Sequence, residues 1–139
     1  MRRGAARAQS EKSESDKPSK PIRWLGDSLR RLREFPEDVK DDLGAALFWA
    51  QKGAKHPNAK PLRGFGGAQI LEIIEDYDGD TYRVVYTVRF KDRLYVLHAF
   101  QKKSKKQDRT PEHEMDLVRE RLKQANRMEA DEHRERVNS

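Results

Sequence analysis

The sequence predicts an α+β domain, and three observations carry that prediction. The stretch Tyr82–Lys106, YRVVYTVRFKDRLYVLHAFQKKSKK, reads as a β-hairpin that runs into a lysine cluster. Before it, apolar residues recur at helical spacing from Val39 to Ala50. After it, Met115, Val118, Leu122 and Ala125 do the same. The expected architecture is a small, twisted, mainly antiparallel sheet, an edge strand plus a three-stranded meander, packed on helices.

At 139 residues the chain holds one small domain with tails. Charged residues (39%) outnumber hydrophobic ones (35%), which is thin for a fully packed chain, and the deficit lies at the ends. A net charge of +6 and a pI near 9.6 point towards nucleic acid, an anionic surface or an acidic partner. Positive charge is concentrated in residues 60–109, while 112–139 is net acidic. The chain has no cysteine, so disulfides and cysteine-ligated zinc are excluded. Neither a membrane span nor a secretory signal is legible, and a cytoplasmic location is expected.

In order, residues 1–21 read as a disordered basic tail, rich in Ser, Lys, Arg and Glu. Residues 22–126 form the domain. Ile22–Leu25 is an apolar edge strand, and Asp27 or Ser28 caps a short helix over Ser28–Glu34. Pro36 suits the first position of a second helix, with Glu37 and Asp38 in its first turn. There Val39, Leu43, Ala46, Leu47 and Ala50 face the sheet, and Gly53 ends the helix. Phe48 and Trp49 widen its apolar stripe towards core or a partner.

His56–Gly67, HPNAKPLRGFGG, reads as a loop carrying Lys60 and Arg63, and its glycines match no phosphate-binding pattern. Ile70–Glu75 is the next strand, and Asp78-Gly79 turns the chain into the hairpin. On the first arm Tyr82, Val84, Tyr86, Val88 and Phe90 alternate towards the core, while Arg83, Val85, Thr87 and Arg89 take the other face. The second arm, Leu94–Phe100, is nearly continuous in apolar residues, as a central strand is. It ends at Lys102, Lys103, Lys105 and Lys106.

Thr110 and Pro111 suit an N-cap and first helical residue, with Glu112 and Glu114 in the first turn. Residues 127–139 read as a charged C-terminal tail. In this arrangement the helices lie against one face of the sheet and leave the other partly open.

The four histidines, His56, His98, His113 and His133, show no paired spacing, so no metal site is expected, and no cofactor either. Clustered cations remain. They bind RNA phosphates without regard to sequence, and if rigidly held they stabilise the charge of a phosphate under attack. RNA supplies its own nucleophile, the 2′-hydroxyl, so cleavage needs a base, a cationic clamp and an acid, but no metal. A lysine beside other cations can be the base, and arginine is the better clamp.

His98 depends on register. If Phe90 pairs with Leu94, His98 falls on the core face beside Tyr86. If the turn is one residue tighter, His98 shares the face of Arg83 and can act as an acid.

From Ile22 to Ala125 the chain resembles the phage-derived, HigB-like branch of the RelE/ParE toxin superfamily. The resemblance rests on YRVVY (Tyr82–Tyr86), YVLHAFQKKSKK (Tyr95–Lys106) and TPEHEMDLVRERL (Thr110–Leu122). KPLRGFGG (Lys60–Gly67) and FPEDVKDDLG support it. It implies a RelE-like toxin fold and a toxin of a type II toxin–antitoxin system that cleaves mRNA on the ribosome without a metal. It also implies neutralisation by a cognate antitoxin, a helix-turn-helix protein encoded next door.

By this resemblance Arg83 matches the functional strand arginine, Lys60 and Arg63 match the cations of the K-x-L-R-G loop, and Lys102 and Lys103 match the basic pair after the last strand. The expected catalytic set is therefore Arg83, Lys60, Lys102, Lys103 and His98, with Arg63, Arg89, Lys105 and Lys106 contacting RNA. One departure is plain: some ribosome-dependent relatives carry a tyrosine shortly after the basic pair, and SKKQDRTP has none. ParE-type relatives share the fold and act on DNA gyrase, which leaves a non-nuclease toxin or a non-toxic RNA-binding module as alternatives.

Overall fold

A computed structural model describes residues 19–66, 69–103 and 110–138. The elements are β1 (Ile22–Trp24), α1 (Ser28–Arg33), α2 (Glu37–Gln51), β2 (Ala59–Pro61), β3 (Ile70–Tyr77), β4 (Asp80–Thr87), β5 (Leu94–Lys102) and α3 (Glu112–Asn138). They build a five-stranded mixed sheet in the order β1-β5-β4-β3-β2. The meander β3-β4-β5 is antiparallel, β1 adds parallel to β5, and β2 pairs antiparallel with β3. The expected edge strand and meander are present.

The β3–β4 turn is set by two residues. Asp78 and Gly79 have φ of 53° and 88°, and Tyr77 pairs with Asp80 across them. Positive φ at both central positions is the conformation that a two-residue hairpin favours, and Asp-Gly meets it at little strain.

Two features of the sheet differ from the sequence expectation. The segment read wholly as loop contains β2, which puts Lys60 opposite Glu72 in register. Pro61 is tolerated there because an edge strand leaves one row of backbone groups without ladder partners. The second difference is the covering of the sheet, since helices lie on both faces and neither is left open. On one face α2 inserts Val39, Leu43, Ala46 and Leu47 against Leu71, Ile73, Val84, Tyr86 and Val96. On the other, α3 lays Met115, Val118 and Ala125 against Ile70, Val85, Leu97 and Phe100. Burying Val85 and Leu97 as well as Val84 and Val96 leaves apolar side chains on both sides of β4 and β5, so both faces need a cover.

Two helix starts also shift. Pro36, with ψ of 151°, sits just before α2 rather than in its first turn. Thr110 turns its hydroxyl into the sheet, where it serves Glu72 and Arg83.

α3 continues through the boundary drawn at residue 126, and the stretch expected as a tail is helical to Asn138. Charge holds it down where apolar residues run out. Arg93 binds both Glu129, at 2.7 Å, and Glu132. Arg23 reaches Glu132 at 3.1 Å, and the Tyr95 hydroxyl donates to Glu129 at 2.7 Å. Among the described residues no helix is long and apolar enough to cross a membrane.

Leu43 is fully buried between α2 and the sheet, whereas Asp42 beside it is exposed. Leu43→Ala is expected to lower unfolding stability by about 2–5 kcal/mol, and Asp42→Ala to leave it within about 0.5 kcal/mol. Urea unfolding of the two variants checks the difference.

Candidate functional site

β4 and β5 are the central strands, and their register decides what faces what. Arg83 pairs with Phe100 and Val85 with His98, but Tyr86 pairs with Val96, so the pairing shifts between Val85 and Tyr86. Leu97 is the extra residue of a β-bulge. Leu97 and His98 therefore both turn towards α3. Of the two registers open in the sequence, the tighter one holds beyond the bulge, and His98 shares the face of Arg83.

That face carries a diagonal row across four strands. Lys60 on β2 is opposite Glu72 on β3, Glu72 is one diagonal step from Arg83 on β4, and Lys102 on β5 lies opposite Thr81, next to Arg83. Three of the expected site residues, Lys60, Arg83 and Lys102, are thus brought to one end of one face. Lys60 is exposed and Lys102 half-buried, while Lys103 follows exposed in the bend after β5. Arg63 is exposed in the turn after β2.

Arg89 does not join them. It lies beyond the end of β4 with its guanidinium 5.8 Å from the centre of the Phe90 ring. Six residues of extended chain put it about 20 Å from Arg83. Lys105 and Lys106 lie outside the described residues.

Arg83 is not the solvent-facing cation that alternation suggested, because only 3% of its surface is exposed. Its Nη1 donates to Glu72 Oε2 at 3.4 Å and to Thr110 Oγ1 at 3.2 Å, and the Thr110 hydroxyl donates to the same Glu72 oxygen at 3.2 Å. α3 and the residue leading into it cover what an isolated hairpin would expose. Glu72 was missed by reading from sequence. Its signal was a carboxylate between Leu71 and Ile73 in an otherwise apolar strand, where a buried charge demands a partner.

His98 is fully buried and stacked on Phe100 at 5.2 Å. Arg121 Nη1 donates to His98 Nδ1 at 2.9 Å, and His98 Nε2 meets Glu114 Oε1 at 2.5 Å. A guanidinium only donates, so Nδ1 must be the acceptor and the ring proton sits on Nε2, given to Glu114. Burial pushes the His98 pKa down; Glu114 opposes that and Arg121 adds to it. His98 therefore works as a bridge between two residues of α3, enclosed in the packed face and away from solvent.

The neutral state has a pH consequence. The unfolded chain takes up a proton near pH 6.5 that folded His98 resists, so this contribution to stability is present above 6.5 and is lost as the pH falls below it. Nitrogen-15 NMR of the ring is expected to show the Nε2–H tautomer, titrating below 6.5. A midpoint above 6.5 contradicts the assignment.

No curated protein matches the chain. A family model described as Phage derived protein Gp49-like (DUF891) matches residues 30–123, from within α1 to α3 and across the whole diagonal row. That family is in the RelE-like toxin group, and its members are often the toxin of a toxin–antitoxin pair. The chain belongs to the phage-derived Gp49-like family.

Proposed function

We propose that this chain is the toxin of a type II toxin–antitoxin pair and that it stops translation as a metal-independent endoribonuclease, cutting mRNA at the ribosome. The observation that supports this is the convergence of Lys60, Arg83 and Lys102 on one end of one sheet face, with Arg63 and Lys103 exposed nearby.

In this reading Lys102, Lys103 and Arg63 hold the RNA backbone. A phosphate oxygen takes the place of Thr110 on Arg83, whose guanidinium then balances the charge of the phosphorane. The 2′-hydroxyl attacks the adjacent phosphorus and loses its proton to a base, while the 5′-oxygen leaves with a proton. The products are a 2′,3′-cyclic phosphate and a free 5′-hydroxyl. Lys60 and Glu72 face each other across β2 and β3, so each puts a proton acceptor beside Arg83. A pH–rate profile distinguishes them: a carboxylate base gives a plateau at neutral pH, and a lysine base gives a rate still climbing above it. The partner in this reading is an antitoxin with a helix-turn-helix domain, whose acidic or amphipathic segment covers the cations.

A second reading has its own support. Arg83 and His98 are both bonded inside the protein, as residues that shape a surface are. In that case the toxin acts by binding a protein target such as gyrase.

Lys60 is exposed, so Lys60→Ala tests the site without disturbing the fold. Arg83→Ala leaves Glu72 buried without its ion pair, and Arg83→Lys is the cleaner change. Each is expected to lower mRNA cleavage by roughly 10²–10⁴-fold with the urea midpoint of Lys60→Ala unchanged. If both variants cleave as the parent does, the endoribonuclease site is not here. Intact mRNA with DNA-damage signalling after induction supports the second reading.

A further inference from the structure

The outward side of α2 carries a pattern that fits a second copy of itself. Phe48 and Trp49 are 54% and 44% exposed on this helix, turned away from the core residues Val39, Leu43 and Ala46. Large rings left in water on a rigid helix mark an interaction surface more often than ornament. Phe48 also lies within a stripe, because Asp38, Asp41, Ala45, Phe48 and Lys52 recur at steps of three and four and so share one side of the helix.

Along that stripe the charge changes sign. Its first turns hold Asp38, Asp41 and Asp42; its end holds Lys52, and exposed Lys55 follows. Between them lie Gly44 and Ala45, both exposed, with open space above Gly44. Small residues at the centre let another backbone come close, and the Phe48 ring supplies the matching bulk.

A sign reversal about a small-residue centre is what a two-fold axis demands of a surface that must complement itself. We propose that two copies of this chain associate through α2, antiparallel, about an axis near Ala45. The aspartates of one copy then meet the lysines of the other, and each Phe48 ring lies on the Gly44–Ala45 surface opposite. Parallel pairing is excluded by charge, since it sets acids on acids. A partner of unrelated sequence would need bases over the aspartates but would place no demand on Lys52. α2 covers the sheet face opposite Lys60, Arg83 and Lys102, so both cationic ends remain open in the pair. With one 15-residue helix contributed by each copy the contact is small, and association is weak, at about micromolar concentration.

The chain has no cysteine, which makes a thiol test clean. Under mild oxidation the Ala45→Cys variant is expected to cross-link to itself. Asp38→Cys is expected to cross-link when mixed with Lys52→Cys and not alone, as antiparallel pairing requires. In sedimentation, Ala45→Glu is expected to weaken the dimer by more than roughly tenfold, and Asp38→Lys to weaken it until combined with Lys52→Asp. Asp38 and Ala45 are exposed and Lys52 is half-buried with its ammonium 5.7 Å from the centre of its own Phe48 ring, and an unchanged circular dichroism spectrum verifies the fold. The proposal is overturned if the chain sediments as a monomer up to about 100 μM. It is equally overturned if Asp38→Cys self-links as fast as Ala45→Cys, or if Ala45→Glu weakens binding to the antitoxin while the free chain is monomeric throughout.

Discussion

The shift in pairing between β4 and β5 is the constraint on which the rest of this structure depends. Side chains on a strand alternate, so one extra residue sends everything beyond it to the other face. Leu97 is that residue. Before it, Leu94 and Val96 point to α2; after it, Ala99 does. Tyr95, Leu97 and Phe100 point to α3, together with His98. Without the bulge, Phe100 would leave the α3 face and Arg83 would stand opposite Ala99. The bulge thus supplies the aromatic floor of one layer and places the histidine that joins it to the helix above.

The helix α3 shows how charge docks an element that apolar area alone would hold weakly. Few of its residues are buried and apolar, but Arg121 ties it to three places at once. It donates to the Leu97 carbonyl at 3.0 Å, to His98 at 2.9 Å and to Asp27 at 3.0 Å. Asp27 also binds Arg31 at 2.8 Å, and these two guanidinium groups hold its pKa down at about 2. The Arg121 guanidinium lies over Gly26, where a Cβ would come within 2.4 Å of it and φ is 56°. Glycine is needed there for both reasons. Asp27, which sequence reading took as a possible helix cap, makes no side-chain cap bond to α1 and anchors α3 instead.

The buried Glu72–Arg83 pair connects the fold to the proposed function. A charge pair taken out of water recovers its desolvation cost only through good partners, and Thr110 completes this set by bonding to both. Removing either partner leaves a buried charge, so the pair is a structural commitment whatever else it does. It also places a buried guanidinium and carboxylate next to Lys60 and Lys102 on the same face of the sheet. The same sheet separates this chemistry from the outward stripe of α2. One surface carries exposed lysines beside the buried pair, and the other carries charges of both signs around small residues.

The sequence by itself determined the local elements. The Asp78-Gly79 turn, the helical period of Val39–Ala50 and the apolar run of β5 all act over a few residues and appear where they were read. The alternation of β4 holds through Val88 and fails at Phe90, which lies beyond the strand and packs on the α3 face. Lys60, Arg83 and Lys102 fall in KPLRGFGG, YRVVY and YVLHAFQKKSKK, the stretches on which the resemblance rests. Tertiary structure decided everything that depends on which surface meets which. Alternation says that Arg83 and Val85 share a face, but not that α3 lies over it, so an apparent solvent cation became a buried partner of Glu72. β2 is three residues long, and pairing with β3 rather than propensity makes it a strand. The helix beyond Asn126 depends on Arg23, Arg93 and Tyr95, residues roughly thirty to a hundred positions away, and no window along the chain contains them. His98 turned on the insertion of Leu97, a single-residue change in pairing that leaves no mark in composition or period.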